Sequence, residues 1–308
     1  MTTAPPPLIA VEPQCWRRPA LVDAVEAAGS SVVDGSEAVG LIWADPAAPE
    51  LLETVLAEHD NIAWVQLPYA GIEPYLHLLR DGRQWTCGKG VYAEPVAEMA
   101  LTMLLAGFRG FDTFLRATTW EAPRGRELRR AAITIVGGGG ITGCLLPLLE
   151  PFGCDVTVVR NRPSPLDGAD RVVGSDGLHD ALATADGIVL ALALTPETTG
   201  LIGADELGAM RPHSWLVNVA RGAHVRTDAL VDALRAHDIG GAALDVTDPE
   251  PLPDDHPLWS LPNCIITPHV GNTPEMGLRL LADRVTENVR RFGAGEELLG
   301  PVHPDLGY

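Results

Sequence analysis

From residue 8 to 90, short apolar runs (LIAV at 8–11, VGLIWA at 39–44, NIAWVQL at 61–67) alternate with the longer helix-like stretches ALVDAVEAAG and ELLETVLAEH. That rhythm predicts a parallel α/β unit, in which helices cover a sheet whose strands are apolar almost throughout. Residues 95–109, PVAEMALTMLLAGFR, open with proline at a helix-start position and are apolar on nearly every side. They predict a buried helix between domains or subunits. After the polar WEAPRGRELRR, a second and cleaner alternation runs through AAITIV, DVTVV, DGIVLALAL, SWLVNV, IGGAALDV and CIITP with helical segments between them. A final helix over about 274–292 carries the chain back toward the first domain.

Composition narrows the function classes. The chain has 308 residues, 46% of them hydrophobic and 20% charged, enough for about two domains with buried cores. Its 41 acidic and 22 basic residues leave a net charge of -19, so there is no electrostatic footprint for nucleic acid or an anionic membrane. Lys89 is the only lysine, and GRQWTCGKGV has neither the spacing nor the Ser or Thr of an NTPase phosphate loop. Five cysteines without a C-x-x-C predict neither a disulfide framework nor a thiolate zinc site. No apolar run approaches the ~18 residues that cross a bilayer, and the N-terminus lacks a basic leader. The expectation is a cytoplasmic protein with no membrane partner and no metal.

The stretch ITIVGGGGITGCLL offers two registers of a dinucleotide fingerprint, Gly137–Gly139–Thr142 and Gly138–Gly140–Gly143. The strand AAITIV ends at Val136 and the first glycine of the fingerprint turns directly after the strand, which selects Gly137. Gly139 then lets the pyrophosphate approach the backbone, and Gly140, Ile141 and Thr142 open the following helix. Thr142 departs from the usual third glycine, and its hydroxyl is expected to donate to a phosphate. NAD-binding proteins carry an acid ~20 residues on for the ribose 2′-OH. Here Arg160, Asn161 and Arg162 occupy that place. The expectation is NADP, with solvated loop arginines beside NAD as the alternative.

Three later segments, LTPETTGLIGADELGAMRPHSWLVNVARGAHV, GGAALDVTDPEPLPDDHPLW and NCIITPHVGNTPE, together resemble the D-isomer-specific 2-hydroxyacid dehydrogenase family. The resemblance covers almost the whole chain. It implies two Rossmann-like or flavodoxin-like α/β domains with the cofactor domain (99–275) inserted in a substrate domain (1–98 plus 276–308). It also implies a homodimer and reversible NAD(P)-dependent reduction of small 2-oxo acids of the glyoxylate or hydroxypyruvate kind. Position by position, Arg221 takes the place of the substrate arginine, Glu250 of the catalytic acid and His269 of the general acid/base. Leu192, Ala193, Thr198, Val219, Ala220, Asp245 and Gly271 fall at cofactor positions, Asp245 being the acceptor of the nicotinamide carboxamide. The backbone near Ala70 and Gly71, in WVQLPYAGIEPY, falls at the substrate loop. Ala193 stands where many relatives have proline and Thr247 where many have an aromatic.

The chemistry accounts for these residue types. Hydride delivery to a ketone leaves an alkoxide, and an imidazolium is suited to protonate it. A carboxylate beside that ring favours its charged form and sets which nitrogen faces the substrate. A planar guanidinium bridges a carboxylate and the neighbouring carbonyl with paired bonds. The rival reading is a dinucleotide-sensing binding protein on the same fold. Glu98 reads as structural, and Trp43, Tyr69, Trp120, Trp259 and Met276 receive no pocket role from sequence.

Overall fold

The computed structural model describes residues 5–79 and 81–303. In chain order its strands are β1 (Leu8–Glu12), β2 (Ser31–Val32), β3 (Gly40–Trp43), β4 (Trp64–Gln66), β5 (Gln84–Thr86), β6 (Ala132–Val136), β7 (Asp155–Val159), β8 (Arg171–Val173), β9 (Gly187–Leu190), β10 (Trp215–Asn218), β11 (Gly241–Leu244) and β12 (Cys264–Ile266). The helices are α1 (Arg18–Ala27), α2 (Pro49–Glu58), α3 (Ala93–Phe108), α4 (Phe111–Phe114), α5 (Gly140–Leu149), α6 (Leu178–Thr184), α7 (Ala204–Ala209), α8 (Thr227–Ala236) and α9 (Pro274–Ala294).

The chain divides into two compact units, one built from residues up to Tyr92 and from Thr273 onward, the other from Ala93–Asn272. These limits fall a few residues before the 98/99 and 275/276 boundaries drawn from sequence. A cut at 98/99 would pass through α3, and one at 275/276 through the first turn of α9, whose N-cap Thr273 accepts from the Met276 amide at 3.4 Å.

The first unit holds a five-stranded parallel sheet ordered β2-β1-β3-β4-β5, the flavodoxin-like arrangement. One face buries Ile9, Val11, Ile42 and Trp64 against Leu21 and Val25 of α1 and Leu281, Val285 and Val289 of α9. Ala10, Leu41, Trp43 and Val65 point to the other face, where Leu52 and Leu56 of α2 cover them. This period-two division of nearly all-apolar strands is what a sheet buried on both sides requires.

The second unit holds seven parallel strands ordered β12-β11-β10-β9-β6-β7-β8, the doubly wound dinucleotide-fold order extended by one strand. Ile133, Ile135, Val189, Val217 and Ala243 pack against α3 and α5, and Ile188, Leu190, Leu216, Ala242 and Leu244 against α6–α8. The predicted buried helix is α3, with Ala97, Ala100, Met103, Leu104 and Phe108 in the core of this unit, while Glu98 is exposed.

Candidate active site

Catalytic loops of a parallel sheet gather where its strands end, and β6 ends in the glycine turn. Gly137 has φ +112°, and a Cβ there would stand 2.2 Å from the Ala191 carbonyl oxygen, so only glycine fits. Gly139 is the N-cap of α5 and a Cβ on it would meet nothing within 4 Å. That opening, in front of a helix start with no acid in its first turn, fits a pyrophosphate. The Gly137 register is therefore the one the backbone adopts.

Thr142 does not offer its hydroxyl to a phosphate. It is fully buried and donates to the Gly137 carbonyl at 2.8 Å, tying the turn to the helix it precedes. At the end of β7, Arg160 lies along the glycine turn, its Cδ 2.8 Å from where a Cβ on Gly138 would be. Among the described residues neither Arg160 nor Arg162 pairs with a carboxylate, and Asn161 Oδ1 accepts from Ser175 Oγ at 2.8 Å.

The loop after β9 holds Leu192, Ala193 and Thr198. Thr198 Oγ1 donates to the Ala193 carbonyl and accepts from the Thr195 amide, both at 2.8 Å. His224, which sequence reasoning passed over, is fully buried beneath this loop, with Nδ1 2.9 Å from the Thr198 carbonyl and Nε2 3.3 Å from that of Leu192. Burial lowers its pKa despite the two carbonyls, so the ring is neutral and has one proton to offer them.

Beyond β10, Asn218 organises the turn that presents Arg221. Its amide donates to the Arg221 carbonyl at 2.9 Å and accepts from the Ala220 amide at 3.1 Å. Val219 and Ala220 are buried in this turn, and Arg221 Nη1 donates to the Ala220 carbonyl at 2.8 Å. Gly222 is pressed against the neighbouring loop so closely that a Cβ would lie 1.9 Å from the Thr247 carbonyl oxygen. The Arg221 loop and the Glu250 loop are thus in backbone contact.

Glu250 and His269, 19 residues apart, meet with Nδ1 2.7 Å from Oε1. A carboxylate only accepts, so Nδ1 carries the proton of that bond. His269 sits at φ +54°, an uncommon conformation for a residue with a side chain. What holds it there is Asp245. Its backbone carbonyl accepts from the His269 amide at 2.8 Å. Its carboxylate accepts from Thr267 Oγ1 at 2.5 Å, the Val270 amide at 2.9 Å and the Gly271 amide at 2.8 Å. Asp245 is 3% exposed, and its carboxylate braces the loop that carries His269. Gly271 likewise spends its amide on Asp245.

Residues 99–271 match the model of the D-isomer specific 2-hydroxyacid dehydrogenase NAD binding domain. A protein encoded in the proB 3′ region of Corynebacterium melassecola is 36% identical over 304 residues, 96% of this chain and 98% of the relative. The chain belongs to the D-isomer-specific 2-hydroxyacid dehydrogenase family. Glyoxylate/hydroxypyruvate reductase A of Serratia proteamaculans is 31% identical over 70% of this chain and 69% of its own. The structure of a family member from Xanthobacter autotrophicus Py2 in complex with NADPH and MES aligns with TM-score 0.85 at 28% identity, covering 98% of this chain and all of that one. A family dehydrogenase is an NAD(P)-dependent oxidoreductase acting on the CH–OH group of 2-hydroxy acids. Among the described residues no helix is long and apolar enough to cross a membrane, and no group of three or more His, Cys, Asp or Glu is placed to hold a metal.

Proposed function

We propose that this dehydrogenase reduces short 2-oxo acids of the glyoxylate and hydroxypyruvate class, with NADPH preferred over NADH. The observation that carries the reading is the His269–Glu250 pair at 2.7 Å beside the Arg221 loop. The Gly137–Gly139 turn and Arg160 would hold NAD(P)H, which when bound would supply a hydride to C2 of the oxo acid. Arg221 binds the substrate carboxylate and carbonyl through its planar donors, as do the backbone amides of Ala70 and Gly71 for the carboxylate. His269 bonds Glu250 through Nδ1, which leaves Nε2–H to face the carbonyl oxygen. As C2 becomes tetrahedral that proton passes to the oxygen, giving the 2-hydroxy acid, and the half-exposed ring is reprotonated from solvent.

Arg160, without a carboxylate partner among the described residues and lying along the glycine turn, supports the NADPH preference. The relatives named as glyoxylate/hydroxypyruvate reductases support the substrate class. The five cysteines are free, which agrees with a reducing cytoplasm. Phe111, Leu115 and Trp120 are large apolar side chains left 48%, 79% and 101% exposed within ten residues of sequence, which supports a homodimer.

The test is the initial rate of nicotinamide absorbance loss, with NADPH and NADH each tried on a panel of 2-oxo acids. Turnover of glyoxylate or hydroxypyruvate with NADPH is the expected result. Turnover with NADH alone refutes the cofactor preference, and cofactor binding without turnover of any oxo acid replaces the reductase with a sensor.

A further inference from the structure

Where the strands of the first unit end, the loops after β1 and β4 are joined by a long side chain. Arg17, in the β1–α1 loop, donates from Nη2 to Tyr69 Oη at 2.8 Å, and Tyr69 immediately precedes Ala70 and Gly71. β3 lies between these strands, so Arg17 and Tyr69 together bridge two strand spacings, roughly 10 Å of sheet. The ring of Tyr92 meets that of Tyr69 edge-on at 5.6 Å, and Tyr92 Oη donates to the Pro68 carbonyl.

The guanidinium is flanked by aromatic rings, 4.6 Å from the Trp16 centroid and 5.7 Å from that of Tyr69. Trp16 is 54% exposed and Tyr69 36% exposed, so the group faces solvent rather than the core. Among the described residues Arg17 has no carboxylate partner, in a chain with 41 acids and 22 bases. Its neighbour Arg18 is spent on the Val11 carbonyl at 2.9 Å. Aromatic contacts occupy the faces of a guanidinium and leave its in-plane donors available. Among the described residues only one of the five is engaged, and by a phenol oxygen that accepts and so keeps its own O–H as a donor. This is a preorganised receptor for a planar anion, set beside the proposed carboxylate loop.

We propose that Arg17 and Tyr69 are specificity-determining residues that receive a second carboxylate, so that the enzyme also accepts 2-oxo acids of four or five carbons carrying a terminal carboxylate. The carbon chain of such an acid spans about 5 Å, and a hydrogen bond of about 2.8 Å at each end brings the reach to roughly 10 Å. That matches a donor lying one tyrosine side chain away from the Ala70–Gly71 backbone. The proposal rests on the reductase reading and on that loop as the site of the first carboxylate.

The experiment measures kcat/KM for oxaloacetate and 2-oxoglutarate, and for 2-oxobutyrate and phenylpyruvate as monocarboxylates, in the parent, Arg17→Leu, Arg17→Lys and Tyr69→Phe. The expected result is parent turnover of at least one dicarboxylate. Arg17→Leu should then lose at least tenfold on it, mainly in KM, with under threefold change on 2-oxobutyrate, and Arg17→Lys and Tyr69→Phe should fall between. Equal losses on both substrate kinds would show that Arg17 merely shapes the loop, and overturn the proposal. So would turnover of monocarboxylates only, or a preference for phenylpyruvate, while leaving the reductase intact. No turnover of any oxo acid would remove the reductase reading itself, and the proposal with it.

Discussion

Replacing Asp245 by asparagine tests whether the His269 loop is held from below. The carboxylate accepts three hydrogen bonds, from Thr267 Oγ1, Val270 N and Gly271 N. Asparagine keeps one oxygen, so in its better orientation it retains the two bonds at Oδ1 and turns an N–H₂ toward the Gly271 N–H. One charge-assisted bond, about 1.5–3 kcal/mol, is then lost, and the surviving two are weakened by loss of the charge. The backbone bonds from His269 N to Asp245 O and Thr267 O remain, which limits the total to about 2–4 kcal/mol. At about 1.4 kcal/mol per tenfold, kcat should fall between roughly 30- and 1000-fold. The assay is steady-state kinetics beside a fluorescence titration of NADPH. The loop role requires kcat to fall while the NADPH Kd stays within about threefold. A kcat within threefold of the parent would refute the reasoning. A loss confined to cofactor affinity would return Asp245 to the nicotinamide carboxamide.

Three further substitutions follow from the geometry. Gly222→Ala places a methyl 1.9 Å from the Thr247 carbonyl oxygen, a backbone atom that cannot rotate away. It should cost about 3 kcal/mol, read as a drop of several degrees in Tm with loss of turnover, and an unchanged Tm would contradict it. His224 has a depressed folded-state pKa, so below its unfolded value near 6.5 the unfolded chain binds more protons and the protein loses stability as pH falls. Chemical denaturation at pH 7.5 and 5.5 should show a shallower fall for His224→Gln than for the parent; equal slopes would exclude it. Arg160→Asp should lower the NADPH to NADH ratio of kcat/KM at least tenfold, and an unchanged ratio would leave Arg160 as a solvated loop residue.

The central strands were legible because ITIV, WLVN, GAAL and GLIW are buried on both faces and nearly continuous in apolar residues. β2, β5 and β8 were not. Each stands last in its strand order, and two or three residues such as Ser31–Val32 or Gln84–Thr86 leave no periodicity to read. Arg221, Glu250 and His269 were legible through their motifs, and the structure brings Glu250 and His269 into direct contact. Thr142 was given a phosphate role, but its hydroxyl donates to the Gly137 carbonyl, and Asp245 has a bracing role under the His269 loop that its motif did not show. Whether an oxygen meets a ligand or a backbone amide depends on loop curvature, here the left-handed turn at His269. Asn218 and His224 sit inside the NVARGAHV motif, yet only folding turns their polar atoms onto the loops beside them. Arg17 was invisible for another reason, because its partner Tyr69 is 52 residues away.

The first unit is assembled from both ends of the chain, and this sets an order on its birth at the ribosome. Residues 93–272 can complete their own sheet and both helical layers as soon as they emerge. Ile9, Val11, Leu21 and Trp64 are synthesised early, but Leu281, Val285 and Val289, which share their cluster, come last. Through most of synthesis one face of the five-stranded sheet therefore waits without its α9 cover. A nascent chain stalled before residue 274 presents chaperones with an apolar surface that the finished protein never shows.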